Sequence, residues 1–317
     1  MSRRYGLPYQ GSKNQIAEEL LSFLPPGNRF VDLFGGGGSM TDCAMDSYKW
    51  DSFLYNEINP LVVKAFRMAI HGFFKKEKRW ISRNEFFQLK DRDPYVAFCF
   101  SFSNNLTDYA YSRELEPWKR ALHYARVYNC RYPLRDMGIY LKDTSSDTIR
   151  ENADYIRERY KEGVLKSESN LCNLQSLKSL ERLESLERLQ DLERLENIEN
   201  LSFHKKRNLK ITQGSYEDYE YEDGDVVYCD IPYESTDCKS YKGFNSKRFY
   251  DWCATRPYQV FFSSYEISDN RFHRIWEREK RVTSGLDNSL QKTECLYTNE
   301  PYVYSSLLGK QFEFDFG

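Results

Sequence analysis

Residues 29–40, RFVDLFGGGGSM, limit the possible folds more than any other stretch. An apolar run from Arg29 to Leu33 meets four consecutive glycines, and the sequence beyond them is able to start a helix. Upstream, Ile16, Leu20 and Phe23 keep helical spacing until Pro25-Pro26-Gly27 breaks it. Downstream, Asp51 to Tyr55 reads as a second strand. Helix, Pro-Gly turn, strand, glycine loop, helix and strand is how an α/β sheet begins. Glycines at a strand end let the backbone approach a ligand closely, because no side chain stands in the way. The spacing is not the G-x-G-x-x-G of dinucleotide binding, since Ser39, Met40 and Thr41 follow Gly35 to Gly38.

A second apolar run, VVYCDIPYEST at 226–236, stops on Asp230 and turns through Ile231-Pro232-Tyr233; YQVFFSSY at 258–265 reads as another strand. Between the two halves, residues 63–207 are charged and aromatic, with helical patterns at Val62 to Ile70 and Pro117 to Val127, and read as an insertion into a domain made of 1–62 and 208–317. From Leu171 through Leu201 a Leu, or Ile198, stands at every third position. A helix advances about 300° in three residues, so such a stripe turns round the axis and makes no lasting face. An irregular helix, a coil with three residues per side and a low-complexity expansion in a surface loop are the choices; the last is the favoured reading, and leucine-mediated self-association the sharper alternative.

A chain of 317 residues has room for two ordinary domains or for one domain with a large insertion. Its 25 Tyr and 21 Phe exceed what a core usually takes, which hints at flat ligands. A net charge of -2 excludes a global electrostatic pull on nucleic acid and leaves local clusters, Lys75-Lys76-Lys78-Arg79 and Lys205-Lys206-Arg207. The eight cysteines show no C-x-x-C pair and the four histidines are far apart in sequence, which argues against a metal. MSRRYGLPYQ has no apolar run behind its arginines and no stretch has membrane-span length, so a protein of a reducing cytoplasm is expected, with no membrane partner.

About 22 residues beyond Gly35, Glu57 ends the second strand. In nucleoside-binding α/β folds an acid there accepts hydrogen bonds from ribose hydroxyls. Glycine loop and ribose acid, without phosphate-binding features, point to a nucleoside such as S-adenosylmethionine. Methylating an exocyclic amine requires drawing its lone pair out of the ring. Asp230 and the Ile231 carbonyl can accept its two hydrogens, while Tyr233, held out by Pro232, offers its face to the base. A base inside a duplex would have to flip out to reach them.

In order, YQGSK at 9–13, VDLFGGGGS, NEIN and DIPY resemble the motifs of the Dam-type (class alpha) DNA adenine N6-methyltransferases, especially phage-encoded members. FCFSFSNNLTDYAYSRELEPWKRALHYA in the insertion is similar to a segment of the phage proteins. The resemblance implies a Rossmann-like S-adenosylmethionine-dependent methyltransferase sheet with an inserted, mainly helical DNA-recognition domain. It implies cofactor contacts by Tyr9, Lys13, Asp32, Phe34, Gly35, Gly36 and Glu57, with Asp230 beside the sulfonium. The catalytic turn would be Asp230, Ile231, Pro232 and Tyr233, with Ser264 near the pocket edge. Ile231 stands where the family has a proline; it restores an N–H and loosens the backbone.

The expected reaction is methyl transfer from S-adenosylmethionine to adenine N6 in double-stranded DNA. The alternatives are an acceptor at cytosine N4, in RNA or on a protein amide, and a DNA-binding protein with weak turnover. Lys75, Lys76, Arg79, Arg113, Lys205 and Arg207 are candidates for DNA contact. Asn104 and Asn105 could read adenine edges or satisfy a turn. The recognition sequence, the oligomeric state and a cognate restriction nuclease are not legible in the chain.

Overall fold

The structure, a computed structural model, describes residues 4–140, 190–233, 243–284, 288–300, 302–305 and 310–313. The chain divides into two compact units, one of residues 1–7, 11–72 and 201–317, the other of 8–10 and 73–200.

The first unit is built on a seven-stranded sheet. Its strands are β1 (Arg29–Asp32), β2 (Ser52–Glu57), β3 (Leu209–Gln213), β4 (Asp225–Asp230), β5 (Val260–Tyr265), β6 (His273–Ser284) and β7 (Asn288–Thr298), in the order β3-β2-β1-β4-β5-β7-β6. The first five are parallel, and β7 runs antiparallel to both neighbours. β1, β2, β4 and β5 are buried almost end to end, as strands covered on both faces are. Order reverses between β1 and β4, so their carboxyl ends flank the crevice where open α/β sheets bind ligands. β8 (Tyr302–Ser305) and β9 (Lys310–Glu313) form a separate hairpin.

The helices of this unit are α1 (Ala17–Ser22), α2 (Ser39–Ser47), α3 (Pro60–Ile70) and, near its end, α9 (Ser246–Ala254). α3 starts cleanly because Asn59 caps it, accepting from Leu61 N at 3.0 Å, and Pro60 needs no intrahelical donor. Its buried Val62, Val63, Phe66 and Ala69 make one apolar face, which packs on β2 and β3. For that reason the first unit runs on to Gly72, ten residues past the boundary at 62, and resumes at Leu201 instead of 208.

The described part of the second unit holds α4 (Arg83–Leu89), α5 (Pro94–Cys99), α6 (Glu116–Tyr128), α7 (Tyr132–Asp136) and α8 (Gln190–Asn200). Its core is aromatic: Trp80 stacks on Tyr111 at 5.5 Å and meets Phe100 edge-on at 5.6 Å. Many of the rings in the composition are therefore spent inside the protein. Residues 171–189 of the leucine series, with Cys172 and Cys238, lie outside the described residues. The last part of the series is helical, contrary to the surface-loop reading there. α8 is only three turns long, so Leu195 and Ile198 both still reach the core before the stripe precesses away. Arg194 on the same helix donates to the carbonyls of Cys99 and Ser101.

Candidate active site

At the carboxyl edge of the first unit, β1 leads into the glycine loop and β2 ends beside it. Gly35 N donates to Asn56 O at 2.8 Å, and Gly36 N to Glu57 Oε2 at 2.9 Å. Glu57 Oε1 accepts from Asn59 N at 2.8 Å, so one buried carboxylate clips the glycine loop to the start of α3. A Cβ on Gly35 would lie 2.2 Å from the Tyr55 ring, and one on Gly38 2.2 Å from the Phe66 ring. Gly38 also sits at φ +75°, where L side chains are strained. These glycines make room for the protein's own stacked Tyr55 and Phe66, a cause of the run that sequence reading missed.

Asp32 ends β1, where its Oδ2 accepts from Thr41 Oγ at 2.8 Å. Burial pushes its carboxyl up to about 7 against that hydrogen bond, with the charges of Asp230 and Glu57 adding to the rise. Beyond the loop, a cavity of about 330 Å³ is lined by Leu33, Phe34, Glu57, Ile58, Tyr216 and Phe244, among others. Phe34 stacks on Tyr216 at 5.2 Å and meets Phe244 edge-on at 5.7 Å. An aromatic slot walled at one point by a carboxylate has the chemistry a purine nucleoside requires.

Asp230 ends β4. Its Oδ1 accepts from Lys13 Nζ at 2.6 Å and from Ser263 Oγ at 3.0 Å; its Oδ2 has no hydrogen bond among the described residues. Burial pushes the Asp230 carboxyl up, opposed by the Lys13 ammonium and reinforced by Glu294. Burial alone would depress Lys13, but Asp230 and Glu294, the latter at 3.3 Å, outweigh it and keep the ammonium charged. Tyr233 donates to Glu294 Oε1 at 2.7 Å, packs at 4.4 Å on the Tyr265 ring, and has Lys13 Nζ 4.9 Å from its own ring centre.

Ile231 is 2% exposed and joins the core that holds Val31, Leu33, Cys229 and Phe249. Its side chain thus anchors the turn by packing, where a proline would have stiffened it. Sequence reasoning missed Glu294, Tyr228 and Ser263. It named Ser264, whose neighbour is the residue bonded to Asp230. Ser263 pairs directly across from Asp230, and a strand turns alternate residues to opposite faces. Which of the two serines faces Asp230 depends on that register, which the sequence does not carry; Glu294 lies in TECLYTN, where the resembled family has a later strand, a signal for the strand but not for the role.

Lys13 is brought to β4 by an N-terminal segment docked on the glycine loop. Leu7 N donates to Gly37 O at 2.6 Å and Lys13 N to Ser39 Oγ at 3.2 Å. Gly6 N donates to Asp42 Oδ2 at 2.7 Å, and the other oxygen of Asp42 lies 2.7 Å from His204 Nε2. With Asp46 these make a compact group of metal-ligand residue types that the spacing of histidines in the sequence did not reveal. Tyr9 belongs to the second unit, where its ring stacks at 6.1 Å on Phe98.

The candidates for DNA contact divide between the units. In the second, Lys75, Lys76 and Arg113 are exposed. Arg79 is already paired with Glu77 at 2.9 Å and Asp93 at 3.0 Å. Asn105 serves a turn, its Oδ1 accepting from Thr107 N and Asp108 N. Asn104, at φ +60° between Ser103 at +48° and Leu106 at +59°, keeps a buried Oδ1 with no partner among the described residues. In the first unit Lys205 is exposed and Arg207 lies over the Tyr48 ring at 5.0 Å.

Five parallel strands with a reversal at β1 and β4, closed by an antiparallel β7, make the first unit a Rossmann-like methyltransferase fold. The chain belongs to the D12 class N6 adenine-specific DNA methyltransferase family, whose sequence model matches residues 9–264. No curated protein matches it. It is an adenine-specific DNA methyltransferase of a family that takes its methyl group from S-adenosylmethionine. No helix among the described residues is long and apolar enough to cross a membrane.

Proposed function

We propose that the protein methylates N6 of an adenine flipped out of duplex DNA at a specific site, and that the reaction takes place at the end of β4. The observation that carries the reading is Asp230, held by Lys13 and Ser263 through one oxygen and, among the described residues, open at the other. Oδ2 accepts one hydrogen of the adenine amine, and the Ile231 carbonyl accepts the second. The nitrogen lone pair is thereby drawn out of the ring and aimed by fixed acceptors that need no reorganisation. S-adenosylmethionine, when bound, supplies an electrophilic methyl on a sulfonium. Asp230, raised by burial, is the acceptor for the proton that the amine nitrogen sheds. The Tyr233 face, ordered by Pro232 and Tyr265, takes the flipped base.

The residues fit the cofactor. Phe34 and Ile58 line an apolar slot for its base, and Glu57, on the wall of the same cavity, accepts from its ribose. Gly35, Gly36 and Asp32 shape the floor, and Lys13 neutralises the acids around it. Lys75, Lys76, Arg113, Lys205 and Arg207 meet phosphates, while the strained Asn104 loop reads bases.

The test is incubation of purified protein with unmethylated DNA and labelled S-adenosylmethionine, followed by base-resolved detection of N6-methyladenine. Label is expected at one short sequence, and Asp230→Ala is expected to lower incorporation by about a thousandfold or more. Undiminished incorporation by that variant would remove Asp230 from the mechanism.

A further inference from the structure

Glu294 lies on β7, beyond the residues matched to the family, and nothing in the reaction as proposed so far requires it. It is 3% exposed, and a carboxylate so buried is costly unless firmly partnered. Two of its partners belong to the catalytic turn and its support: Tyr233 OH at 2.7 Å and Lys13 Nζ at 3.3 Å, on the same oxygen, Oε1. The sheet register puts Glu294 directly opposite Tyr265, whose ring packs on Tyr233. One pair of β5–β7 residues therefore holds Tyr233 by its hydroxyl and by its ring.

We infer that Glu294 is a positioning residue for methyl transfer, which rests on the reaction proposed above. It has two tasks. First, it tethers Tyr233 in a turn whose first proline is replaced by Ile231, so that the ring that receives the base stays fixed while the backbone is freer. Second, it is the alternative acceptor for Lys13. When the amine engages Asp230, Lys13 can lean on Glu294 and remain charged and buried; without Glu294 its whole attraction falls on Asp230. Among the described residues, the charged and titratable groups facing Asp230 are Lys13 from the N-terminal segment, Glu294 from β7, Tyr228 and Cys229 from β4, Tyr233 from the turn and Asp32 from β1. Of these, Glu294 and Asp32 are acids, and loss of the Glu294 charge leaves the Lys13 ammonium less opposed, which moves ionisation of Asp230 to lower pH.

The experiment compares wild type, Glu294→Gln, Glu294→Ala, Tyr233→Phe and the Glu294→Ala/Tyr233→Phe double variant. It reads kcat, KM for DNA, the pH profile of kcat, and the Kd of S-adenosylmethionine by calorimetry. Glu294→Ala and Tyr233→Phe are each expected to lower kcat about ten- to a hundredfold, the scale of an ångström's misplacement, with Kd changed less than about threefold. The double variant is expected to be little worse than Glu294→Ala, because both remove one tether. Glu294→Gln keeps an acceptor for Tyr233, so it should retain most of kcat while its acid limb shifts to lower pH. Losses that multiply in the double variant, wild-type kcat in Glu294→Ala, or an unmoved acid limb in Glu294→Gln would overturn the inference. If Glu294→Ala fails to bind S-adenosylmethionine or to fold, Tyr233→Phe and Glu294→Gln decide it alone. An inactive wild type would instead sink the proposed reaction and this inference with it, whereas an active wild type silenced by Asp230→Ala but indifferent at 294 sinks only the inference.

Discussion

Glu57 and Asp230 end strands on either side of β1, and both are acids at the sheet's carboxyl edge, yet they are held in opposite ways. Glu57 is bound on both oxygens by main-chain amides of Gly36 and Asn59, which cannot withdraw without moving the glycine loop or α3. Asp230 is bound on one oxygen by the side chains of Lys13 and Ser263, which can adjust, and its other oxygen is open among the described residues. An acid clipped by backbone maintains a binding surface; an acid held by side chains can change partners during a reaction. Asp32, on the strand between them, takes a hydrogen bond from Thr41 and bears the burial of its carboxyl.

The largest expected effect tests that middle case. Asp32 has an ordinary value of 3.8 and is pushed up to about 7, so between those limits the folded protein holds a proton the unfolded chain has released. Its contribution to stability is therefore full below about pH 4 and lost as pH rises through about 7, by about 4 kcal/mol at most. Urea unfolding across that window should show the decline in wild type and a flatter profile in Asp32→Asn; parallel profiles would mean that the acid is not held neutral.

Next, Glu57→Ala should lower stability by about 3 kcal/mol, since two backbone donors lose a charged acceptor. Asp230→Ala should lower it less, because Lys13 keeps Glu294. Equal losses in the two urea titrations would erase the contrast between them. The smallest effect is expected at Ile231. Ile231→Pro exchanges a buried, branched side chain for a stiffer backbone, and turnover should change by less than about threefold. A large gain would show that packing does not replace the proline.

The main line of the sheet was legible because periodicity, the Pro-Gly stop and the glycine run are local signals. Arg29 to Leu33 and Asp51 to Tyr55 each fall on a strand and overrun it by one residue at one end, 226–229 lie within β4, and Asp230 and Glu57 fall at strand ends. The roles of the glycines were only half legible: Gly38 needs its space for Phe66, a residue 28 positions away. The leucine series misled because a three-residue stripe excludes a long amphipathic helix but not a helix as short as α8.

The sequence by itself determined which short segments are strands, which acids stand at their ends and which family the chemistry belongs to, because these depend on neighbours within a few residues. Only the tertiary structure decided that Lys13, Asp230, Ser263 and Glu294 share one charge cluster, that Ile231 is anchored in the core, and that Ser263 rather than Ser264 faces the acid. Strand order, register and burial bring those groups together across as many as 281 positions of chain, and the energy of a buried charge depends on what surrounds it in space.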